Sequence, residues 1–150
     1  MMRSESMTMT PAEYRTMREA CGLSQQSAAP FHGVTYRAIQ QWEAGVNRVP
    51  ARTAEEIRAL DVRISDGASA LIAAQGRRSR TAPPVRLVRW RTQDAYEATH
   101  GAKATSLPFG AYNAMLGRAM SRMLIEGRPY VVEWAPEASA VATAAATPPE

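Results

Sequence analysis

Cysteine is nearly absent: Cys21 is the one thiol in 150 residues. A single cysteine closes no internal disulfide. With only two histidines, His32 and His100, far apart in the chain, no metal-ligand spacing exists either. Disulfide-stapled scaffolds and zinc modules are therefore set aside, and no metal or cofactor is expected. Cys21 itself reads as a small buried apolar residue closing the first helix rather than a redox sensor, because nothing in its sequence setting is both electropositive and accessible. Neither histidine has a cysteine or acidic partner at useful spacing, and no phosphate-cradling glycine loop is present. No catalytic residue is expected, nor an enzyme. Long apolar runs are missing too: none approaches the roughly 20 residues that span a bilayer. The N-terminus carries no apolar signal core. These absences predict a soluble protein of a reducing cytoplasm.

What the chain has in excess is positive charge. Eighteen Lys and Arg against 14 Asp and Glu give a formal net charge of +4 and a sequence pI of about 9.7. That balance suits a polyanionic partner without specifying one. Hydrophobic residues make up 45%, enough for a core in one or two small domains.

The most informative stretch is Leu23 to Glu43, LSQQSAAPFHGVTYRAIQQWE. Ser24 caps a short helix that carries Ala28, Ala29 and Phe31 on its apolar side. Gly33 supplies the permissive backbone of a sharp turn. Thr35 caps a second helix, Tyr36 to Ala44, closed by Gly45. Ile39 and Trp42, three apart, share its buried face with Ala38, and Tyr36, Arg37, Gln40 and Gln41 occupy the rest of the circumference. Two short helices at a glycine turn describe a helix-turn-helix, whose second helix enters the major groove. Arg can grip guanine bidentately and Gln adenine, so Tyr36, Arg37, Gln40 and Gln41 are the candidate base contacts. Ser24, Gln25 and Thr35, at helix starts where backbone N–H groups point outward, are candidate phosphate contacts.

This stretch resembles the phage-repressor-like (XRE, Cro/C1-type) helix-turn-helix family. Leu23, Ser24, Gln25, Ala29, Gly33, Val34, Thr35, Ile39, Trp42, Glu43 and Gly45 match its pattern without a gap. Ala28 and His32 stand where that family usually has leucine, and Pro30 inside the first helix predicts a kink or a shortened helix. The resemblance implies that the loop after the second helix touches the DNA backbone, which adds Asn47 and Arg48 to the phosphate contacts. Glu43 reads as structural, paired with a cation on a neighbouring helix, for which Arg18 is the candidate.

Around this motif, Thr10-Pro11-Ala12-Glu13 starts a helix that Gly22 stops, with Tyr14, Met17 and Cys21 facing Ile39 and Trp42. Residues 50–75 form one long helix or two, broken at Asp66-Gly67. Residues 76–84, GRRSRTAPP, read as a basic linker whose Arg77, Arg78 and Arg80 either reach phosphates or solvate a hinge. A strand from Val85 to Arg91, a helix capped by Thr92, a helix from Ala111 to Glu126 and a strand from Tyr130 to Trp134 make a second unit, 85–134. Two strands alone are marginal in water, so this unit is expected to self-associate through Met115, Met120, Met123, Tyr130 and Trp134, or else to pack those methionines on its own strands. Residues 135–150, rich in Ala, Thr and Pro, read as a disordered tail.

The expected fold is thus mainly α with a small α+β part: a five-helix helix-turn-helix domain over residues 1–75, the linker, and a strand-helix-helix-strand dimerisation domain. Trp42-Glu43-x-Gly45 followed by Val49-Pro50, a long helix and a late strand also resembles the two-domain anti-CRISPR-associated autoregulators. That likeness implies a bacterial or phage-encoded homodimeric repressor, bound to double-stranded DNA at a palindromic operator and autoregulating a phage or mobile-element operon. Two other readings stay open. One is the antitoxin of a toxin–antitoxin pair, holding its toxin through the C-terminal unit. The other is added RNA binding by Arg86, Arg89 and Arg91 interleaved with Trp90.

Overall fold

The computed structural model describes residues 8–75, 81–101, 103 and 106–136. The linker arginines Arg77, Arg78 and Arg80, the first seven residues and residues 137–150 of the expected tail lie outside that set. The chain is mainly helical with one small two-stranded sheet, in the order α1 (Pro11–Ala20), α2 (Gln25–His32), α3 (Tyr36–Glu43), α4 (Ala51–Ala73), β1 (Val85–Arg89), α5 (Gln93–His100), α6 (Phe109–Ile125) and β2 (Tyr130–Trp134).

Local chemistry sets the boundaries. Thr10 and Glu13 form a reciprocal capping box with Pro11 at the first helical position. Ser24, Thr35 and Thr92 each accept a backbone N–H of their own helix, from Ser27, Ala38 and Ala95. Gly33, at φ +67°, ends α2 in the left-handed conformation that lets the chain turn straight into α3. Pro30 neither breaks nor truncates α2. It sits on an exposed face, and the helix continues to His32.

Four helices, not five, precede β1 among the described residues. The reason is Gly67. A Cβ there would come within 2.7 Å of the Met115 sulfur on α6, so this glycine makes room for a neighbour and does not interrupt α4. Along α4, Ile57, Leu60, Ile64, Ala68 and Ile72 are buried, and against its second half lies α6 through Met115, Leu116, Ala119 and Met123. One continuous cluster of buried side chains therefore runs from Tyr14, Ile39 and Trp42 through α4 to α6 and to Val85 and Leu87 of β1. Full burial of an aliphatic side chain in such a core is worth about 1.5–3 kcal/mol.

The strands are parallel, with Val85 opposite Tyr130 and Arg89 opposite Trp134. Because α5 and α6 form the crossover between them, no hairpin is needed. Val85 and Leu87 face inward, whereas Arg86 and Glu133 pair on the outside at 2.6 Å. Arg89, on the same face as Val85 and Leu87 by alternation, is nonetheless exposed, and the strand ends there rather than at Arg91.

Candidate nucleic-acid interface

The face of α3 divides as its sequence requires. Ile39 and Trp42 are buried; Tyr36, Arg37 and Gln40 are exposed, and Gln41 is half-buried. The seam beneath is aromatic: Tyr14 meets Trp42 edge-on at 5.8 Å, and His32 meets it edge-on at 6.1 Å. Cys21 is buried in the same core, its thiol pushed up to about 11 by burial.

An ion pair fastens the inner end of the motif. Arg18 donates from Nε and Nη2 to both carboxylate oxygens of Glu43, 2.8 Å each, and from Nη1 to the Leu23 carbonyl, also 2.8 Å. The two side chains are only 8% and 6% exposed, so this is a buried bidentate pair joining α1, the α1–α2 turn and α3. The Glu43 bond shifts the Arg18 guanidinium further toward its charged form.

From that pair the bonding reaches the surface. Gln25 Nε2 donates to Glu43 Oε1 at 3.3 Å, and the Tyr36 hydroxyl donates to Gln25 Oε1 at 3.4 Å. Gln25 is thus oriented from both ends of its amide, beside the opening N–H groups of α2. At the other end of α3, Asn47 Nδ2 donates to Gln41 Oε1 at 3.0 Å, while the Val46 and Asn47 N–H groups both reach the Gln41 carbonyl. Asn47, read from sequence as a phosphate contact, orients the Gln41 side chain. Ser24, Thr35, Asn47 and Arg48 are all exposed.

Sequence reasoning missed Val46. It is 69% exposed at the tip of the same loop, an apolar side chain on an otherwise polar rim. Its only signal was position: it directly follows Gly45, which leaves α3 at φ +76°.

The expected self-association residues separate into two groups. Met115 and Met123 are core residues of the single chain, covered by α4, so they form no surface. Met115 reaches α4 because Gly67 opens a slot for its sulfur, and both methionines share one buried cluster with Val85 and Leu87 of β1. Met120 and Tyr130 are partly buried, and Trp134 is half exposed, with the Arg91 guanidinium 4.5 Å and that of Arg89 5.8 Å from its ring centroid. Trp90 is half-buried, packed edge-on against Tyr96, His100 and Tyr112, and Trp134 is the more exposed indole beside the basic strand.

Among the described residues no group of His, Cys, Asp and Glu could hold a metal ion, and no helix is long and apolar enough to cross a membrane. No protein-family model matches the chain, and no curated protein sequence matches it.

Proposed function

We propose that the chain is a sequence-specific double-stranded-DNA-binding repressor that acts as a homodimer on an inverted repeat and controls its own operon. One observation carries this reading: α3 turns Tyr36, Arg37, Gln40 and Gln41 away from the buried Ile39–Trp42 seam, between the N-terminus of α2 and the Asn47–Arg48 loop. That is the arrangement by which a short helix enters a major groove while its neighbours grip phosphates. The bonds from Glu43 through Gln25 to Tyr36, and from Asn47 to Gln41, order part of this face before DNA arrives. Side chains held in their bound geometry lose less entropy on binding.

Self-association is supported by the sheet. Parallel strands are ordinarily covered on both faces, yet among the described residues the sheet has two strands, and its outer face leaves Val88 and Val131 exposed. A second copy against this surface would cover it and set two α3 helices on one duplex, with half-sites roughly 34–36 Å apart.

The test is a gel shift with duplex DNA taken from just upstream of the gene. Retardation that a scrambled duplex does not compete away supports the reading. Equal affinity for both duplexes, or Arg37→Ala binding as tightly as the parent, overturns it.

A further inference from the structure

His32 ends α2 at the turn into α3, in a place where the resembling family carries an apolar leucine. Its side chain is fully enclosed. From α1 the Tyr14 hydroxyl lies 3.0 Å from Nε2; the Trp42 ring comes from α3, and Phe31 stacks edge-on at 4.8 Å. From α4 the Glu56 carboxylate lies 3.5 Å from Nδ1, at the outer limit of a hydrogen bond, and Arg52 lies 3.7 Å from that same carboxylate. The other nearby charges, Arg18 and Glu43, are locked to each other.

The neutral ring fits this setting in one tautomer. With the proton on Nδ1, facing Glu56, the Nε2 lone pair accepts the Tyr14 O–H. A second proton on Nε2 would point at the Tyr14 hydroxyl hydrogen. Tyr14 would have to turn its own hydrogen into a packed core, since its side chain has no exposed surface.

We propose that His32 makes the helix-turn-helix acid-sensitive: protonation breaks the Tyr14–His32 tie between α1 and the end of α2, and the reading face loses its grip on DNA. The second half rests on the DNA-binding function proposed above; the first does not.

Burial holds the imidazole below its ordinary value of 6.5, with the Glu56 carboxylate opposing. The unfolded chain therefore takes up the proton first. Stability is complete above 6.5 and is lost progressively as pH falls below it toward the folded value.

Proton NMR of the whole chain reads this directly, because the sequence holds two histidines, His32 and His100, and His100→Gln assigns their signals. A His32 midpoint below 6.5, with denaturation midpoints that fall on acidification in the parent but stay flat in His32→Leu, supports the proposal. A midpoint at or above 6.5, or parallel profiles in parent and variant, overturns it. The NMR arm needs no variant at position 32 and no DNA, so it decides the switch even if His32→Leu does not fold or the protein proves not to bind DNA. In gel shifts between about pH 7.5 and about pH 5.5, the parent should lose at least about tenfold more affinity than His32→Leu. An equal loss in both proteins would remove the DNA half alone.

Discussion

At the scale of single residues, Glu43 shows how a charge near the proposed reading face can be structural. Both its oxygens are taken by Arg18, and one also accepts from Gln25. Replacing Glu43 by alanine leaves the buried Arg18 guanidinium with the Leu23 carbonyl and the more distant, exposed Glu19 carboxylate at 3.9 Å, and chemical denaturation should show a loss of about 3–5 kcal/mol. The double change Arg18→Met, Glu43→Leu should recover much of that stability, because the desolvation cost disappears together with the pair. DNA affinity should not recover with it, since Gln25 would still lack its anchor. Arg37 is the opposite case, exposed and, among the described residues, held by no hydrogen bond or ion pair. Arg37→Ala should leave the melting curve unchanged and weaken DNA binding by about 1–3 kcal/mol, as a lost base contact does. Asn47→Ala should weaken binding too, in part by releasing Gln41, and titration of matched duplexes would measure it.

At the scale of elements, the turn between α1 and α2 is bound closely to the start of α6. Gly22, at φ +73°, and Gly110 meet backbone to backbone, so that a Cβ on either would strike the carbonyl of the other. An alanine at a helical glycine ordinarily stabilises by about 1 kcal/mol. Gly110→Ala should instead destabilise, by about 1–3 kcal/mol, because neither backbone can retreat; thermal melting gives the sign directly. Arg118 of α6 reinforces the joint, donating to the Ala20 carbonyl at 3.0 Å and to Asp61 at 2.6 Å. None of this was legible in the chain. Caps, glycine stops and the Ile39–Trp42 face could be read because they rest on neighbours three or four residues apart, and the Arg18–Glu43 pair because a carboxylate that phosphates would repel calls for a cation on a neighbouring helix. Gly67 looked like a breaker because its role depends on Met115, 48 positions away. Trp90 looked available for stacking because Tyr96, His100 and Tyr112 come to it only through the fold.

At the scale of the whole molecule, the buried cluster passes from α3 to β1 without a gap. A fragment ending near residue 75 would bare the α4 surface that α6 covers, including Ile64, Ala68 and Ile72. Its unfolding midpoint in urea should fall well below that of the full chain; equal midpoints would mean that the helix-turn-helix stands without α6. The lone thiol makes this continuity measurable in another way. Cys21 is fully enclosed, with its thiol held up to about 11, so a thiol reagent meets it only when the core opens. The chain thus carries its own unfolding clock. Met123→Ala, at the far end of α6, should quicken modification of a sulfur it does not touch, as far as the two ends open in one cooperative event.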